Sequence, residues 1–256
     1  MKSSLTIHPL KNIPLIEAGD DLAALIVDAL RAAGIEPADG DILVLAQKIV
    51  SKAEGRQVLL AAIDPSAEAV KLARETDKDP RLVELILRES SAVIRTAPGV
   101  IIVRHRLGIV SANAGIDQSN INHAKGECAL LLPENPDRSA RRLREALQQE
   151  FGKNLGVIVS DSMNRPWRLG TVGYAIGSAG VTVLEDRRGD TDIFGRELQV
   201  TMSNLADSIA TAAMLVMGET SERVPAALIR GFGLPVEDNA QTARDSIRPV
   251  AEDLFL

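Results

Sequence analysis

The densest group of side chains that could do chemistry follows an apolar run near the middle of the chain. Residues 155–160 predict a buried strand, and the carboxylate of Asp161 and the hydroxyl of Ser162 come directly after it. Both are hard oxygen ligands suited to magnesium or manganese, and Arg165 and Arg168 could each hold a phosphate or carboxylate through paired hydrogen bonds. The segment suggests a metal and phosphate site. An Asp that caps a turn beside surface arginines explains the pattern about as well.

Two further carboxylates strengthen the functional interpretation. Asp117 lies with Asn120 in a loop of small polar residues, 113–120, although an Asx turn explains that pair at least as well. Glu219 follows Gly218 at the end of a predicted helix, with an ordinary exposed acid as the alternative. Ions that bridge phosphates draw carboxylates from separate segments, so aspartates on different loops fit such a site.

Positively charged side chains are placed where they could contact an anion. Lys48 and Lys52 follow a predicted strand over 41–47, and we expect them on a loop, where a solvated pair is the ordinary alternative. Arg196 lies in the charge-rich turn region 186–196, whose default interpretation is a solvated loop. It is a candidate contact for an acidic substrate.

Other catalytic devices are missing from the sequence. The single cysteine, Cys128, lies in an apolar run that predicts a buried inert thiol, and the three histidines have no metal-ligand spacing. Neither a G-x-G-x-x-G fingerprint nor a P-loop occurs, and the glycine-rich segment 170–180 is typical of close packing rather than of a phosphate cradle.

The elements that must position these residues follow from apolar spacing and turn signals. No repeat or flexible linker divides the chain, so a second domain would have to be interwoven with the first. Helical spacing, with Asp20 as the first cap, and short apolar runs predict helices over 22–33, 80–89, 139–151 and 205–217, and strands over 41–47, 100–103, 107–110 and 155–160.

Composition favours an enzyme acting on small molecules. The chain has 256 residues and a net charge of −6, and its aromatic content of 2% leaves few platforms for stacking bases. Binding to a nucleic-acid backbone is therefore disfavoured. No apolar run approaches the roughly 18 residues of a spanning helix, and the N-terminus lacks a signal-peptide core. We expect a cytoplasmic protein without membrane or nucleic-acid partners.

Five segments occur in a fixed order along the chain. They are 13–22 (IPLIEAGDDL), 46–55 (AQKIVSKAEG), 113–120 (NAGIDQSN), 160–168 (SDSMNRPWR) and 218–231, which begins Gly-Glu and ends Arg-Gly. Through these segments the chain resembles the coenzyme F420-0:L-glutamate ligases, the γ-glutamyl ligases of deazaflavin coenzyme biosynthesis. The resemblance covers about residues 5 to 233.

The resemblance implies a GTP-dependent ligase that joins L-glutamate to the terminal carboxylate of the deazaflavin precursor. An acyl phosphate would activate the carboxylate, a γ-glutamyl-type amide would form, and GDP and phosphate would leave. It also implies an α+β fold with composite mixed and antiparallel sheets, helices and two interwoven subdomains, in a homodimer. We expect one such domain over residues 1–256, without the C-terminal flavin-binding-like extension of some relatives.

Roles for single residues are implied in the same way, with Mg²⁺ or Mn²⁺ as cofactor and K⁺ as a further candidate cation. Asp117 and Asp161 would be catalytic carboxylates. The metal ligands would be Asp117, Asp161, Ser162 and Glu219. The GTP contacts would be Ile13, Pro14, Leu15, Ile16, Gln47, Lys48, Lys52, Asn120, Gly218, Glu219, Thr220, Ser221, Glu222, Arg223, Val224 and Pro225. Our candidates for the acidic substrates, made without family support at residue level, are Arg165, Arg168 and Arg196.

Two positions depart from the family pattern, since both Asn164 and Arg223 stand where glycine is usual. Asn tolerates left-handed backbone, so we expect Asn164 to preserve a turn. Arg223 lies inside the stretch that would contact the nucleotide, so it bears on the contacts to the base and on the preference for GTP over other nucleotides. The alternatives are a related amide ligase or phosphotransferase with another acidic acceptor, and a catalytically silent protein that binds a nucleotide or deazaflavin.

Overall fold

Two units whose segments alternate along the sequence make up the fold. The computed structural model describes residues 4–124, 126–233, 236 and 241–253. Unit 1 takes the chain up to Pro14, Asp21–Ala46 and Pro136–Ser246, and unit 2 takes Leu15–Asp20, Gln47–Asn135 and the chain from Ile247 onward. Unit 1 contains a mixed sheet and unit 2 contains antiparallel sheets, each with helices. The expected α+β class with interwoven subdomains is confirmed.

The helices and strands of the described residues have the following bounds. The strands are β1 Thr6–Leu10, β2 Ile42–Ala46, β3 Gln57–Leu59, β4 Ser90–Ala97, β5 Val100–His105, β6 Val110–Ala112, β7 Cys128–Leu130, β8 Gly156–Asn164, β9 Thr171–Ala179, β10 Leu184–Asp186, β11 Met202–Asn204 and β12 Ala226–Arg230. The α-helices are α1 Leu22–Ala32, α2 Gln47–Ala53, α3 Ala67–Thr76, α4 Pro80–Arg88, α5 Pro136–Phe151 and α6 Leu205–Met217.

Helix ends lie where the sequence offers caps. Asp21, one residue after the predicted cap Asp20, accepts hydrogen bonds from two backbone N–H groups in the first turn of α1. Asp79 caps α4, which has a proline at its first position. Gly152 follows α5 with φ 62° and Gly218 follows α6 with φ 73°, a backbone conformation that glycine adopts without a steric penalty. The four predicted helices are thus confirmed to within a few residues.

The main sheet of unit 1 has five strands in the order β1-β12-β2-β8-β9. Strands β2 and β8 run parallel, and the other neighbours run antiparallel. The run 42–45 of β2 is completely buried, as expected for a strand covered on both faces. Helix α6 packs on the sheet through an apolar face that includes Ala206, Ile209, Ala210 and Ala213.

Glycines in β9 allow two helices to approach the sheet closely. A Cβ on Gly173 would lie 2.5 Å from the carbonyl oxygen of Ala210 in α6, and a Cβ on Gly177 would collide with the carbonyl group of Pro136 in α5. Only glycine fits at such distances. The interpretation of segment 170–180 as a close-packing element is therefore confirmed, and most of that segment is a strand.

Unit 2 combines the three-stranded sheet β4-β5-β6 with the two-stranded antiparallel sheet β3-β7 and three α-helices. Helix α4 buries Val83 and Ile86 against Ile101 and Val103 of β5. Cys128 is buried in β7, as its apolar surroundings predict. Packing of the apolar faces of α3 and α4 on this short sheet forms one core cluster of the unit, and a second cluster packs Leu60 and Leu85 with Ala129 and Leu131.

A buried polar network lies inside unit 2. Glu89 Oε2 accepts hydrogen bonds from Arg56 Nη2 at 2.9 Å and Arg106 Nε at 3.1 Å, and His105 Nε2 lies 3.4 Å from the same oxygen. Burial alone would raise the pKa of the Glu89 carboxyl. The facing His105 ring and the two arginine charges outweigh burial and hold this pKa at about 2. His105 is thereby a residue of the core.

The segment after β2 was predicted to be a loop, and that prediction is wrong. Residues 47–53 form the two-turn helix α2, in which Ser51 Oγ donates a hydrogen bond to Gln47 Oε1 at 2.9 Å. A helix of seven residues is too short to show a convincing periodic signal in sequence. Lys48 and Lys52 therefore project from one face of a helix, because residues four apart are neighbours on a helix surface.

Three details of the predicted strands and turns also differ. Strand β8 continues to Asn164, so Asp161 lies inside a strand rather than on a loop, because pairing with β9 extends the ladder beyond the apolar run. Asn164 is the last residue of β8 and has an extended backbone, so the expectation that it preserves a left-handed turn is wrong. In the connection between β8 and β9, the residues with a left-handed backbone are Trp167 with φ 68° and Gly170 with φ 89°. The predicted strand over 107–110 is largely a turn, and β6 begins at Val110.

Across the part of the chain that the structure describes, no helix is long and apolar enough to cross a membrane.

Candidate functional site

Helix α2 and the loop after β6 form a charged cluster in unit 2. Lys48 Nζ lies 2.5 Å from Asp117 Oδ2 and donates a hydrogen bond to Ser119 Oγ at 3.0 Å. Lys52 Nζ donates to the backbone carbonyl of Asn120 at 2.6 Å. The structure therefore brings together four of the predicted site residues, and it does so through direct contacts between helix and loop.

The loop that carries Asp117 is held by its backbone. Asp117 exchanges two backbone hydrogen bonds with Leu130, at 3.0 and 2.8 Å, and its Oδ1 accepts from the backbone N–H of Ser119 at 2.7 Å. The Asx turn that was the alternative explanation for Asp117 is thus present. Because one carboxylate oxygen serves this turn, the other oxygen is aimed at Lys48.

The charges in this cluster perturb one another. Burial would raise the pKa of the Asp117 carboxyl, but hydrogen bonds from Lys48 and Ser119 outweigh burial and keep it below its usual value. Burial and the neighbouring Lys48 charge lower the pKa of Lys52, against the opposing effect of Asp117. Two ammonium groups and one carboxylate leave the cluster with a surplus positive charge, which suits an anion such as a phosphate.

In unit 1, Asp161 is the candidate ligand with a defined setting. Its cross-strand partner in β9 is Tyr174, whose hydroxyl donates to Asp161 Oδ2 at 3.4 Å, and Asp161 Oδ1 accepts from the backbone N–H of Ser162 at 2.9 Å. The Tyr174 side chain is buried, with the residue 7% exposed. Strand alternation directs the side chains of Asp161 and Ser162 to opposite faces of the sheet. The two side chains therefore do not approach one ion from the same face.

A β-bulge precedes this pair of residues. Val159 pairs with Gly177 while Ser160 pairs with Ala175, so β9 has one extra residue, Ile176, at that point. A bulge changes which side chains of a strand face each side of the sheet, and bulges recur beside functional sites. The register that places Tyr174 opposite Asp161 begins at this bulge.

The predicted nucleotide stretch 218–225 follows α6 in unit 1. Glu222 folds back and accepts from the backbone N–H of Thr220 at 2.7 Å, while Glu219 is exposed. Arg223 has φ 55°, a left-handed conformation that disfavours residues with a side chain. Glycine is thus the residue that this backbone favours at position 223.

The remaining predicted contacts are distributed over both units. Arg165 and Arg168 are exposed in the turn between β8 and β9, and Arg196 is exposed between β10 and β11. Ile13 and Ile16 are buried, each 6% exposed.

Among the described residues no group of three or more His, Cys, Asp or Glu side chains is assembled that could hold a metal ion. Of the predicted metal ligands, Asp117 belongs to unit 2, whereas Asp161, Ser162 and Glu219 belong to unit 1.

One residue beside Asp161 was not predicted from the sequence. Tyr174 is the only tyrosine of the chain and lies in the glycine-rich segment. A strand assignment for that segment, paired with β8 through a tight turn, would have placed it opposite Asp161.

Comparison with known sequences places the chain in a family. The sequence model of the F420-0:Gamma-glutamyl ligase family matches residues 11–231, so the chain belongs to that family, and the resemblance seen in its motifs is confirmed. A protein of Methanopyrus kandleri is 46% identical over 254 residues, which cover 98% of each chain. One of Methanothermobacter thermautotrophicus is 48% identical over 245 residues, covering 96% of each chain. One of Methanocaldococcus jannaschii is 45% identical over 217 residues, covering 85% of each chain. All three are named coenzyme F420:L-glutamate ligase.

Proposed function

We propose that this chain is a ligase that uses GTP and divalent metal ions to add L-glutamate to coenzyme F420-0. The observation that carries the proposal is the contact between the lysines of α2 and the 117–120 loop, in a chain that belongs to the F420-0:γ-glutamyl ligase family. This cluster supplies the surplus positive charge that a nucleotide phosphate requires. The family description supplies F420-0 as the acceptor, and the names of the relatives supply L-glutamate.

The reaction needs an activated carboxylate, because a free carboxylate is a poor electrophile. In the proposed sequence, a carboxylate oxygen of the acceptor attacks the γ-phosphorus of GTP, the bond to the β-phosphate oxygen breaks, and GDP leaves. The amine of glutamate then attacks the carbonyl carbon of the acyl phosphate. The C–O bond to phosphate breaks, the nitrogen loses a proton, and an amide and inorganic phosphate result. No protein nucleophile is required.

Lys48 and Lys52 would stabilise the phosphates in this reaction. Phosphoryl transfer develops charge on the transferred group, and fixed cationic donors lower the energy of that transition state. Lys48 is held by Asp117 and Ser119, and Lys52 by a backbone carbonyl, so both ammonium groups are preorganised on α2. Arg165, Arg168 and Arg196 remain our candidates for the carboxylates of the two acidic substrates.

The predicted ligand set fits a hard divalent cation by its chemistry. Asp117, Asp161 and Glu219 offer carboxylate oxygens and Ser162 offers a hydroxyl, which are the donors that magnesium and manganese prefer. Because Asp161 and Ser162 alternate across β8, we propose that they serve different ions. Such ions, when bound, would neutralise the charge of the nucleotide phosphates.

The test is incubation of the purified protein with GTP, MgCl₂ or MnCl₂, L-glutamate and coenzyme F420-0, followed by mass spectrometry. We expect glutamylated product and GDP, both lost with EDTA and in Asp161→Asn and Asp117→Asn. Parallel reactions with other acidic acceptors test the related amide ligase or phosphotransferase. Tight binding of GTP without turnover of any acceptor would favour the silent binding protein and contradict the proposal. Light scattering of the same sample tests the proposed homodimer.

A further inference from the structure

Tyr174 lies beside Asp161 with its hydroxyl turned toward that carboxylate. The residue is 7% exposed, and its O–H donates to Asp161 Oδ2 at 3.4 Å. This hydrogen bond is long for an O–H donor, and such bonds near a site tighten when a ligand binds. A buried hydroxyl needs an acceptor, and the carboxylate provides it.

The backbone on both sides of Tyr174 is fixed to helix α6. Thr211 Oγ1 donates to the carbonyl of Gly173 at 2.7 Å, and the backbone N–H of Ala175 donates to Asp207 Oδ1 at 2.8 Å. The missing side chain at Gly173 lets the helix pack directly on the strand. Tyr174 is therefore anchored by its two neighbours, so the ring and its hydroxyl keep a defined position.

Each oxygen of the Asp161 carboxylate consequently accepts one hydrogen bond from the β8–β9 pair. Oδ1 accepts from the backbone N–H of Ser162, and Oδ2 accepts from Tyr174. Two donors on the two oxygens define the plane of the carboxylate. A phenol hydroxyl carries a proton that it can donate, and the geometry directs that proton to Asp161 Oδ2.

We propose that Tyr174 is a positioning residue that holds the Asp161 carboxylate in the orientation needed to bind a divalent cation. The inference rests on the proposed role of Asp161 as a metal ligand. Donors to ligating carboxylates fix the direction of the lone pairs, and their loss costs roughly 10- to 100-fold in metal affinity. Tyr174 itself contacts no substrate in this account.

Tyr174→Phe removes the hydroxyl and keeps the ring, so it tests the hydrogen bond rather than the packing. Binding of Mn²⁺ is measured by the electron paramagnetic resonance signal of the free ion, with and without GDP. We expect the Kd of Tyr174→Phe to rise on the order of 10-fold, and Asp161→Asn to lose the site. Ser178→Ala is the matched control, because Ser178 Oγ in the same strand is buried and has no hydrogen-bond partner among the described residues. Its Kd should equal that of the unaltered protein.

A second readout separates positioning from a purely structural role. In steady-state ligation, Tyr174→Phe should raise the Mn²⁺ concentration for half-maximal rate by the same factor and recover most of kcat at saturating Mn²⁺. A lowered melting temperature with an unchanged Mn²⁺ Kd would overturn the proposal. So would Asp161→Asn binding Mn²⁺ as tightly as the unaltered protein. If Tyr174→Phe weakens Mn²⁺ binding while the unaltered protein adds no glutamate, the positioning role stands and the proposed function fails.

Discussion

Replacing Glu89 with Gln should destabilise unit 2 in a manner that depends on pH. The Glu89 side chain is 12% exposed, and its carboxyl pKa is about 2 against a usual 4.5. Each pKa unit corresponds to about 1.4 kcal/mol, so the charged carboxylate contributes about 3 kcal/mol to the free energy of unfolding at pH 7. Because the folded pKa is depressed, this contribution is complete above about pH 5 and is lost as the pH falls toward 2.

Urea unfolding followed by circular dichroism at pH 7 and pH 3 measures this contribution. The difference in unfolding free energy between the unaltered protein and Glu89→Gln should shrink by about 2 kcal/mol between those two pH values. Glu75→Gln is the control, because its 4.0 Å pair with Lys71 lies on the surface and should be worth less than about 1 kcal/mol. A difference for Glu89→Gln that does not change with pH would refute the assignment of the network to a charged Glu89.

Three further substitutions test the site and its supports. Lys48→Met removes the partner of Asp117 and should lower kcat/KM for GTP on the order of 100-fold, measured by GDP release; an unchanged value would exclude Lys48 from phosphate binding. Arg223→Gly relieves a left-handed residue and should raise the free energy of unfolding by up to about 1 kcal/mol, measured in urea, whereas a loss would show that the arginine side chain stabilises the loop. Gly173→Ala places a Cβ against the carbonyl of Ala210 and should cost about 1–3 kcal/mol, seen as a lower melting temperature; no loss would mean that α6 can move away.

The sequence predicts well the helices and strands whose caps, turns and apolar spacing are all found within a short segment of the chain. Helices α4 and α6 have strong caps or glycine ends and a continuous apolar stripe, and β2 is an unbroken apolar run between turn signals. Residue type and position alone also single out Asp117 and Asn120 of the 113–120 loop and the lysines at 48 and 52, which the structure places in contact. These predictions need no knowledge of long-range pairing.

Features that depend on long-range pairing could not be predicted in the same way. Asp161 was expected on a loop because its polarity ends the apolar run, whereas pairing with β9 extends the strand through it. Tyr174 was missed because segment 170–180 carries few large apolar residues, and the bulge at Ile176 shifts its register. Helix α2 is too short for a periodic signal, and contacts in unit 2 stabilise it through Lys48 and Lys52.

The most direct test of the proposed function follows an oxygen atom through the reaction. Coenzyme F420-0 with ¹⁸O in its terminal carboxylate is incubated with the protein, GTP, MnCl₂ and L-glutamate, and the products are analysed by mass spectrometry. We expect equal amounts of glutamylated product, GDP and inorganic phosphate that carries one ¹⁸O from the carboxylate. Glutamylated product with unlabelled phosphate would contradict activation through an acyl phosphate, and the absence of glutamylated product would contradict the ligase function itself.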